Sequence, residues 1–411
     1  RRSSDLKKCG GFLFSLTGMA GIENRPAGGE REKGKKPKTG KIKRKGMVPM
    51  EKFVLPTYKA PDFEALGLAD APDAKLVEAQ QDGVAPAGYH ATTMFPEYFR
   101  IHGEWQLAQD SRMDCAAVLR GGRLNVVELR NIRRGDAVVV GREENGTEGI
   151  YVHTRAFRRR GRADDEFAFR QGRSRETAYS KDYNSIYRLL KYEKQHGNIL
   201  WVLGPACTFD ADARAAFSAL VDEGYVNGLL AGNALATHDL EVGYRGTALG
   251  QDVYTQHSVP NGHYNHLDTI NEVRRCGSVR AFVEAGHVKD GIMYTCVKKN
   301  VPFVLVGSIR DDGPLPDVYG NVYEGQDAMR GLVRKATTIV CMASTLHTVA
   351  TGNMTPSYRV VDGQVRPLYF YSVDISEFAV NKLLDRGSLT VKTIVTNVQD
   401  FIIQVRRGVC S

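Results

Sequence analysis

From Asn198 onward the chain alternates short, almost wholly apolar runs with helix-like text, and that alternation leaves few architectures open. The apolar runs are ILWVLG (199–204), VNGLLAG (226–232), PFVLVGS (302–308), TTIVCMAS (337–344), YFYSVDI (369–375) and TIVTNV (393–398). Short continuous apolar runs bounded by Gly and Pro read as strands buried on both faces, the kind found in parallel sheets. The segments between them, such as ADARAAFSALVDEG and EFAVNKLLDRG, read as helices. Alternating strand and helix predicts an α/β fold with a parallel sheet flanked by helices, a Rossmann-like domain over 198–411.

The preceding text is different. From Lys52 to Phe157 it contains FRIHGEWQLA, DCAAVLR, RLNVVELR and DAVVVG, separated by turns such as Gly121-Gly122 and Arg134-Gly135. This predicts an N-terminal β-rich, antiparallel domain over 47–157. The Arg-rich stretch Arg158–Arg175 reads as a linker, and Lys181–His196 as a helix with Tyr183, Ile186, Tyr187 and Leu190 on one face, so 158–197 is assigned to linker and helix. Residues 1–46 hold the run GEREKGKKPKTGKIKRKG, lack apolar periodicity and are expected to be a disordered basic extension.

The net charge of +9 would suggest a nucleic-acid partner if it were spread over the fold. Residues 1–50 carry 14 Lys/Arg against 4 Asp/Glu, and residues 51–411 carry 42 against 43, so the folded body has no basic excess. No nucleic acid is expected to bind that body. No apolar run is long enough to span a bilayer. Seven scattered cysteines without a Cys-x-x-Cys pair argue against a disulfide framework or a zinc site, and a cytoplasmic, reducing setting is expected. His257, His263 and His266 lack a carboxylate or Cys at matching spacing, so no metal site is expected.

In open α/β sheets, ligands sit outside the carboxyl ends of the strands. Several candidate strands end there in polar turns. Gly232-Asn233-Ala234 opens a helix and presents backbone N–H groups suited to a phosphate, although Asn also caps helices routinely. Ser344-Thr345-Leu346-His347 follows the fourth strand, with Gly352 and Asn353 shortly after. Asp374 closes the fifth, where an acid suits a ribose diol or caps the next helix. The run PFVLVG ends in Ser308-Ile309-Arg310-Asp311-Asp312-Gly313-Pro314, a charged loop stiffened by prolines. No G-x-G-x-x-G follows the first strand. Together these turns would line one edge of a parallel sheet, where a dinucleotide lies.

The segments GYVNGLLAGNALATHDLE, GHYNHLDTINEVRRCGSV, GIMYTCVKKNVPFVLVGSIRDDGPLPDV, YEGQDAMR, LHTVATGNMTPS and VDISEFAVNKLLDRGS resemble the archaeal-type ornithine cyclodeaminase family. That family is also found as the C-terminal part of cyanobacterial arginine dihydrolases. DGVAPAGYHATTMFPEYFRIHGEW, RMD (112–114) and RRGDAVVVG resemble its N-terminal LOR/SDH-type region. The resemblance covers about Lys52 to Val405. It implies a lyase using NAD to convert L-ornithine to L-proline and ammonia. It also implies cofactor contacts at Asn233, Ala234, Asp312, Thr345, Leu346, His347 and Asp374. Asp311 and Asp312 are candidates for holding the substrate ammonium or relaying protons, and Arg310 for pairing a carboxylate. The partners expected are a small amino-acid substrate and further copies of the chain in a homo-oligomer. An amino-acid dehydrogenase of the saccharopine type, and a regulatory module that binds NAD or an amino acid without chemistry, are the alternative readings. The chain departs from the family at Cys207-Thr208-Phe209-Asp210-Ala211, where Val-Val-His-Thr-Gly is usual, so contacts near the first strand are expected to differ.

Overall fold

Strand and helix boundaries follow from where apolar runs are buried and where side chains cap helices. The computed structural model describes residues 53–158, 180–311, 313–375 and 391–410. The chain from Met50 to Ser411 forms one compact unit. Its centre is a seven-stranded parallel sheet. From edge to edge the strands are Val318–Tyr319, Phe303–Val306, Gly228–Gly232, Ile199–Leu203, Thr338–Met342, Tyr369–Asp374 and Val391–Val395. Apart from the two-residue edge strand, this order is the doubly wound one, with the order of strand addition reversing between Ile199–Leu203 and Thr338–Met342.

Ile199–Leu203 is the central strand, and all five of its residues are buried. Trp201 pairs with Leu229 on one side and Val340 on the other, and its indole N–H donates to the Tyr225 carbonyl at 2.8 Å. On one face the sheet packs against helices Ala211–Asp222, Asn233–Arg245, Ile292–Lys298 and Val398–Val409 through Phe217, Leu220, Leu235, Met293 and Phe401. The helix Ser180–His196 adds Ile186, Leu189 and Leu190 to the same apolar cluster. On the other face Met329, Val333 and Met354, from helices Val322–Val333 and Thr345–Met354, cover Leu200, Val202 and Ile339. A strand apolar on both sides is buried by both helical layers, which is why these runs show no alternation.

The last strand ends earlier than the 393–398 expected from sequence. Asn397 accepts from the Gln399 and Asp400 backbone N–H groups, so Thr396–Val398 serves a helix start. The edge strand Val318–Tyr319 was absent from the sequence reading. Two residues between prolines and glycines carry too little periodicity to register.

The β-rich part contains an antiparallel sheet of Lys75–Glu78, Ala137–Val140, Ala116–Arg120 and Arg123–Val127, and a second of Glu104–Leu107, Glu97–Ile101 and Ile150–Val152. Arg330, 4% exposed on helix Val322–Val333, fastens it to the parallel sheet's helical layer. Its guanidinium donates to the Asp110 carbonyl at 3.2 Å and pairs with Glu128 at 3.3 Å. Ser357 Oγ donates to the Met94 carbonyl at 2.7 Å, and the Tyr358 hydroxyl to that of Ala108. At the amino end of the sheet, buried Glu193 accepts from Arg366 and from Thr337 Oγ1.

Among the described residues no helix is long and apolar enough to cross a membrane.

Candidate active site at the carboxyl edge of the sheet

The two strands that meet at the switch point come unusually close. Gly204, just after the central strand, donates its N–H to the Met342 carbonyl at 2.8 Å. A Cβ at this position would stand 1.7 Å from the Ala343 carbonyl oxygen, so only glycine fits. Ala343 itself has a φ of 55°, a left-handed conformation that costs a non-glycine residue about 1 kcal/mol. Beyond Gly204 the chain turns through Pro205–Thr208, with Cys207 buried. Gln399 of the last helix donates to the Ala206 carbonyl at 3.0 Å and holds that turn. Asp210, part of the departure from the family pattern, accepts from the Ala213 N–H at 2.7 Å and caps helix Ala211–Asp222.

Two helices begin on either side of this pinch, and neither has a side-chain cap. Asn233–Arg245 starts after Gly232, which has no side chain to offer. Thr345–Met354 starts after Ser344, whose hydroxyl is committed to His347 Nδ1 at 3.0 Å instead. The helices Ala211–Asp222, Val322–Val333 and Val398–Val409 are capped by Asp210, Asn321 and Asn397. First-turn N–H groups without a side-chain cap, with the helix dipole behind them, form a place for an anion.

His347 joins the ends of three strands. Its ring lies against Gly232, where a Cβ would stand 3.0 Å from Cε1. Burial pushes its imidazole pKa down, opposed by the Val306 carbonyl and the Asp311 carboxylate. The side chain therefore works as a strut between Ser344, Gly232 and Val306. Leu346 beside it is 66% exposed, and Ile309 and Ile375 at neighbouring strand ends are also exposed.

The loop after Phe303–Val306 is stitched down along its length. Asp311 Oδ2 accepts from the Ser308 N–H at 2.7 Å, and Asp311 N–H returns to the Ser308 carbonyl at 3.1 Å. Asn233 Oδ1 accepts from the Leu315 N–H at 3.0 Å and from Thr237 Oγ1 at 3.3 Å. Asp317 accepts from the Val279 N–H at 2.7 Å, and Arg274 Nε donates to the Pro314 carbonyl at 3.0 Å. Asn233 and Asp311, read from sequence as ligand contacts, thus spend part of their hydrogen-bonding capacity on this loop. Arg310 is exposed, and among the described residues its guanidinium makes no ion pair.

The structure brings Gly232, Asn233, Ala234, Arg310, Asp311, Thr345, Leu346, His347 and Asp374 to the carboxyl ends of the strands or the turns leaving them. Gly352 and Asn353 lie elsewhere, near the far end of helix Thr345–Met354 and about 10 Å along its axis from Thr345. Asp312 and the segment after Ile375 lie outside the described residues.

Sequence reasoning missed the pinch at Gly204, which needs the position of strand Thr338–Met342, and a buried knot on helix Asn233–Arg245. There Glu241 accepts from Thr247 Oγ1 at 2.8 Å and the Gly250 N–H at 2.9 Å, and pairs with His238 Nδ1 at 3.0 Å. Burial alone would raise its carboxyl pKa. The hydrogen bonds from His238, Gly250 and Thr247 outweigh it and hold the carboxyl below its ordinary range. Arg214, Asp239 and Asp290 form a second knot, with Arg214 Nε to Asp239 at 2.7 Å. A polar groove of about 1400 Å³ also exists, lined by Arg120, Arg130, Glu128 and Arg334. It lies on the β-rich part with Arg334, just after helix Val322–Val333, at its edge, and none of the strand-end residues lines it.

Comparison with known proteins places this architecture. Residues 185–405 match the family model described as arginine dihydrolase ArgZ-like, C-terminal, Rossmann fold, and residues 96–178 match that of its first region. The chain is 39% identical over 337 residues to the ornithine cyclodeaminase of Archaeoglobus fulgidus, spanning 82% of this chain and 78% of the relative. A conserved LOR/SDH protein of Methanococcus maripaludis has a crystal structure with a TM-score of 0.73 at 32% identity, covering 82% of this chain and 98% of that one. The ternary complex of AgrE with ornithine and NAD⁺ gives a TM-score of 0.53 at 33% identity, covering 83% of this chain and 46% of AgrE.

Proposed function

The chain belongs to the ArgZ-like C-terminal family that includes archaeal ornithine cyclodeaminases, and from that premise we propose that it converts L-ornithine to L-proline and ammonia with NAD as catalytic cofactor. The observation that carries this reading is the switch point where Gly204 meets Ala343, flanked by two helix N-termini without side-chain caps. A relative of the same fold bound to ornithine and NAD⁺ supports it.

The switch point fits a dinucleotide without a G-x-G-x-x-G. Gly204 lets the ends of the two central strands meet, and the N–H groups opening helices Asn233–Arg245 and Thr345–Met354 are suited to the two phosphates. Asp374, at the end of Tyr369–Asp374, is assigned to the ribose diol. Leu346, Ile309 and Ile375 supply apolar cover. When bound, NAD accepts a hydride from the substrate Cα and returns it to the cyclic imine, so no net oxidation results. Between those events the substrate δ-amine attacks the imine carbon and ammonia leaves.

The chain's part is to hold the substrate and move protons. Arg310, exposed and free of an ion pair among the described residues, is assigned to the substrate carboxylate. Asp311 holds the loop through Ser308, so the ammonium or proton-transfer role is assigned first to Asp312. Asn233 and His347 fix the loop and the strand ends in register with one another.

The test is incubation of the purified chain with L-ornithine and NAD⁺, measuring proline, ammonia and NADH. Equimolar proline and ammonia without NADH accumulation is the expected result. Accumulating NADH would instead identify an amino-acid dehydrogenase. Consumption of neither ornithine nor other basic amino acids would refute the enzymatic reading.

A further inference from the structure

Three donors of different chemical kinds converge on the surface formed by helix Asn265–Cys276 and the turn after helix Val279–Glu284. Glu272 and Cys276 are four residues apart on the first helix, which places their side chains one above the other. His287 follows the second helix. One donor atom from each of Glu272, Cys276 and His287 lies within 4.8 Å of the other two, and all three residues are half-buried.

The imidazole is held in place. It stacks on Phe282 with ring centroids 4.8 Å apart and an interplanar angle of 12°, and Tyr244 meets it edge-on at 5.9 Å. Its Nε2 stands 3.4 Å from Glu272 Oε1, longer than the ordinary hydrogen-bond range. Bonds of about 2.1 Å in a tetrahedral site put nitrogen and oxygen donors about 3.4 Å apart, so this separation matches two ligands of one ion. A thiolate, a carboxylate and a neutral imidazole together balance a dication, and the mixed sulfur, nitrogen and oxygen set selects zinc over magnesium or calcium.

We propose that Glu272, Cys276 and His287 form a zinc-class site with a fourth position open to water. The ion would clip helix Asn265–Cys276 to the turn that leads into Asp290. Glu272 also carries the Arg275 fork, with Nε to Oε2 at 3.0 Å and a second contact to Oε1. Arg275 is 73% exposed on its side chain, so this is a weak surface pair that can release Oε1. Arg245, the second arginine acting on Glu272, is already shared with Asp268 at 3.7 Å and with the Tyr244 ring.

Cobalt(II) reads this directly, because it occupies zinc sites and reports thiolate ligation. Titration of the metal-free full chain should give one equivalent of visible bands of tetrahedral intensity with a thiolate charge-transfer band in the near ultraviolet. Zinc should displace cobalt and raise the melting temperature. Cys276→Ser should abolish the charge-transfer band, while Cys9→Ser and Cys410→Ser should keep it. His287→Asn should weaken cobalt binding by more than about tenfold, since even outer-shell losses reach that size. Far-UV circular dichroism establishes that each variant is folded, and His287→Asn decides alone should Cys276→Ser misfold. Absence of cobalt binding, a charge-transfer band that survives Cys276→Ser, or affinity unchanged in His287→Asn would overturn the proposal.

Discussion

Replacing Gly204 by alanine tests the switch-point geometry with a single methyl group. Gly204 has φ −92° and ψ 169°, a conformation open to any residue, so the substitution carries no backbone penalty and its effect is steric. The new Cβ would meet the Ala343 carbonyl oxygen at 1.7 Å, and the contact must open to at least 3.0 Å. The obstacle is backbone in a central strand pair, not the tip of a flexible side chain. Overpacking of this kind costs about 1–3 kcal/mol, and here the upper end is expected. At about 2 °C per kcal/mol for a large domain, the melting temperature should fall by about 6 °C. Parting the strand ends also displaces the first turn of helix Thr345–Met354 by roughly 1 Å, a misplacement that costs about a hundredfold in rate. The measurements are thermal denaturation by near-UV circular dichroism and initial rates of proline formation. Gly232→Ala is the comparison. Its Cβ meets the His347 imidazole at 3.0 Å, a neighbour able to shift by tenths of an ångström, so less than about 1 kcal/mol should be lost. A Gly204→Ala protein that melts within a degree of the native one and keeps its rate would refute the pinch.

Three further outcomes are expected. Gly331→Ala, in the exposed interior of helix Val322–Val333 with no atom within 4 Å of the new Cβ, should stabilise the protein by about 0.5–1 kcal/mol, seen as a raised melting temperature with unchanged kinetics. Arg366→Met strands the fully buried Glu193 carboxylate and should cost about 3–5 kcal/mol on denaturation, while the dissociation constant for NAD⁺ stays native because the pair lies at the amino end of the sheet. Glu241 is held below its ordinary carboxyl pKa by His238, Gly250 and Thr247 despite its burial. Its stabilisation is therefore complete above the unfolded value near pH 4.3 and is lost as pH falls toward the folded one, so Glu241→Gln should flatten the acid limb of a plot of melting temperature against pH.

Much of the sheet could be read from the chain because a strand buried on both faces leaves a continuous apolar run. ILWVLG and PFVLVG are such runs, and each contains the strand it predicts. Where a second force decides, the reading slips. Thr396–Val398 reads as strand, but Asn397 caps a helix, and Val318–Tyr319 is too short to show a period. Site residues at strand ends were legible because sheet topology alone brings Gly232, Thr345 and Asp374 to one edge. Gly204 needed its neighbour across the sheet, Asp311 needed the fold of its own loop, and His287 needed helix Asn265–Cys276 as its partner. None of these relations is a spacing in sequence.

The loop after Phe303–Val306 leaves and re-enters the same sheet, since Val318–Tyr319 pairs alongside that strand and Gly307 N–H donates to the Tyr319 carbonyl at 3.0 Å. Its two ends are thus pinned one strand spacing apart, whatever lies between them. A segment with such fixed posts behaves as a cassette. Its exposed positions can be exchanged while the barrier to closing it has already been met by the sheet. Selection acting on the substrate pocket can therefore rewrite the exposed Ile309 and Arg310, while Leu315, buried in the core and bonded through its N–H to Asn233, keeps the rest of the loop on the fold.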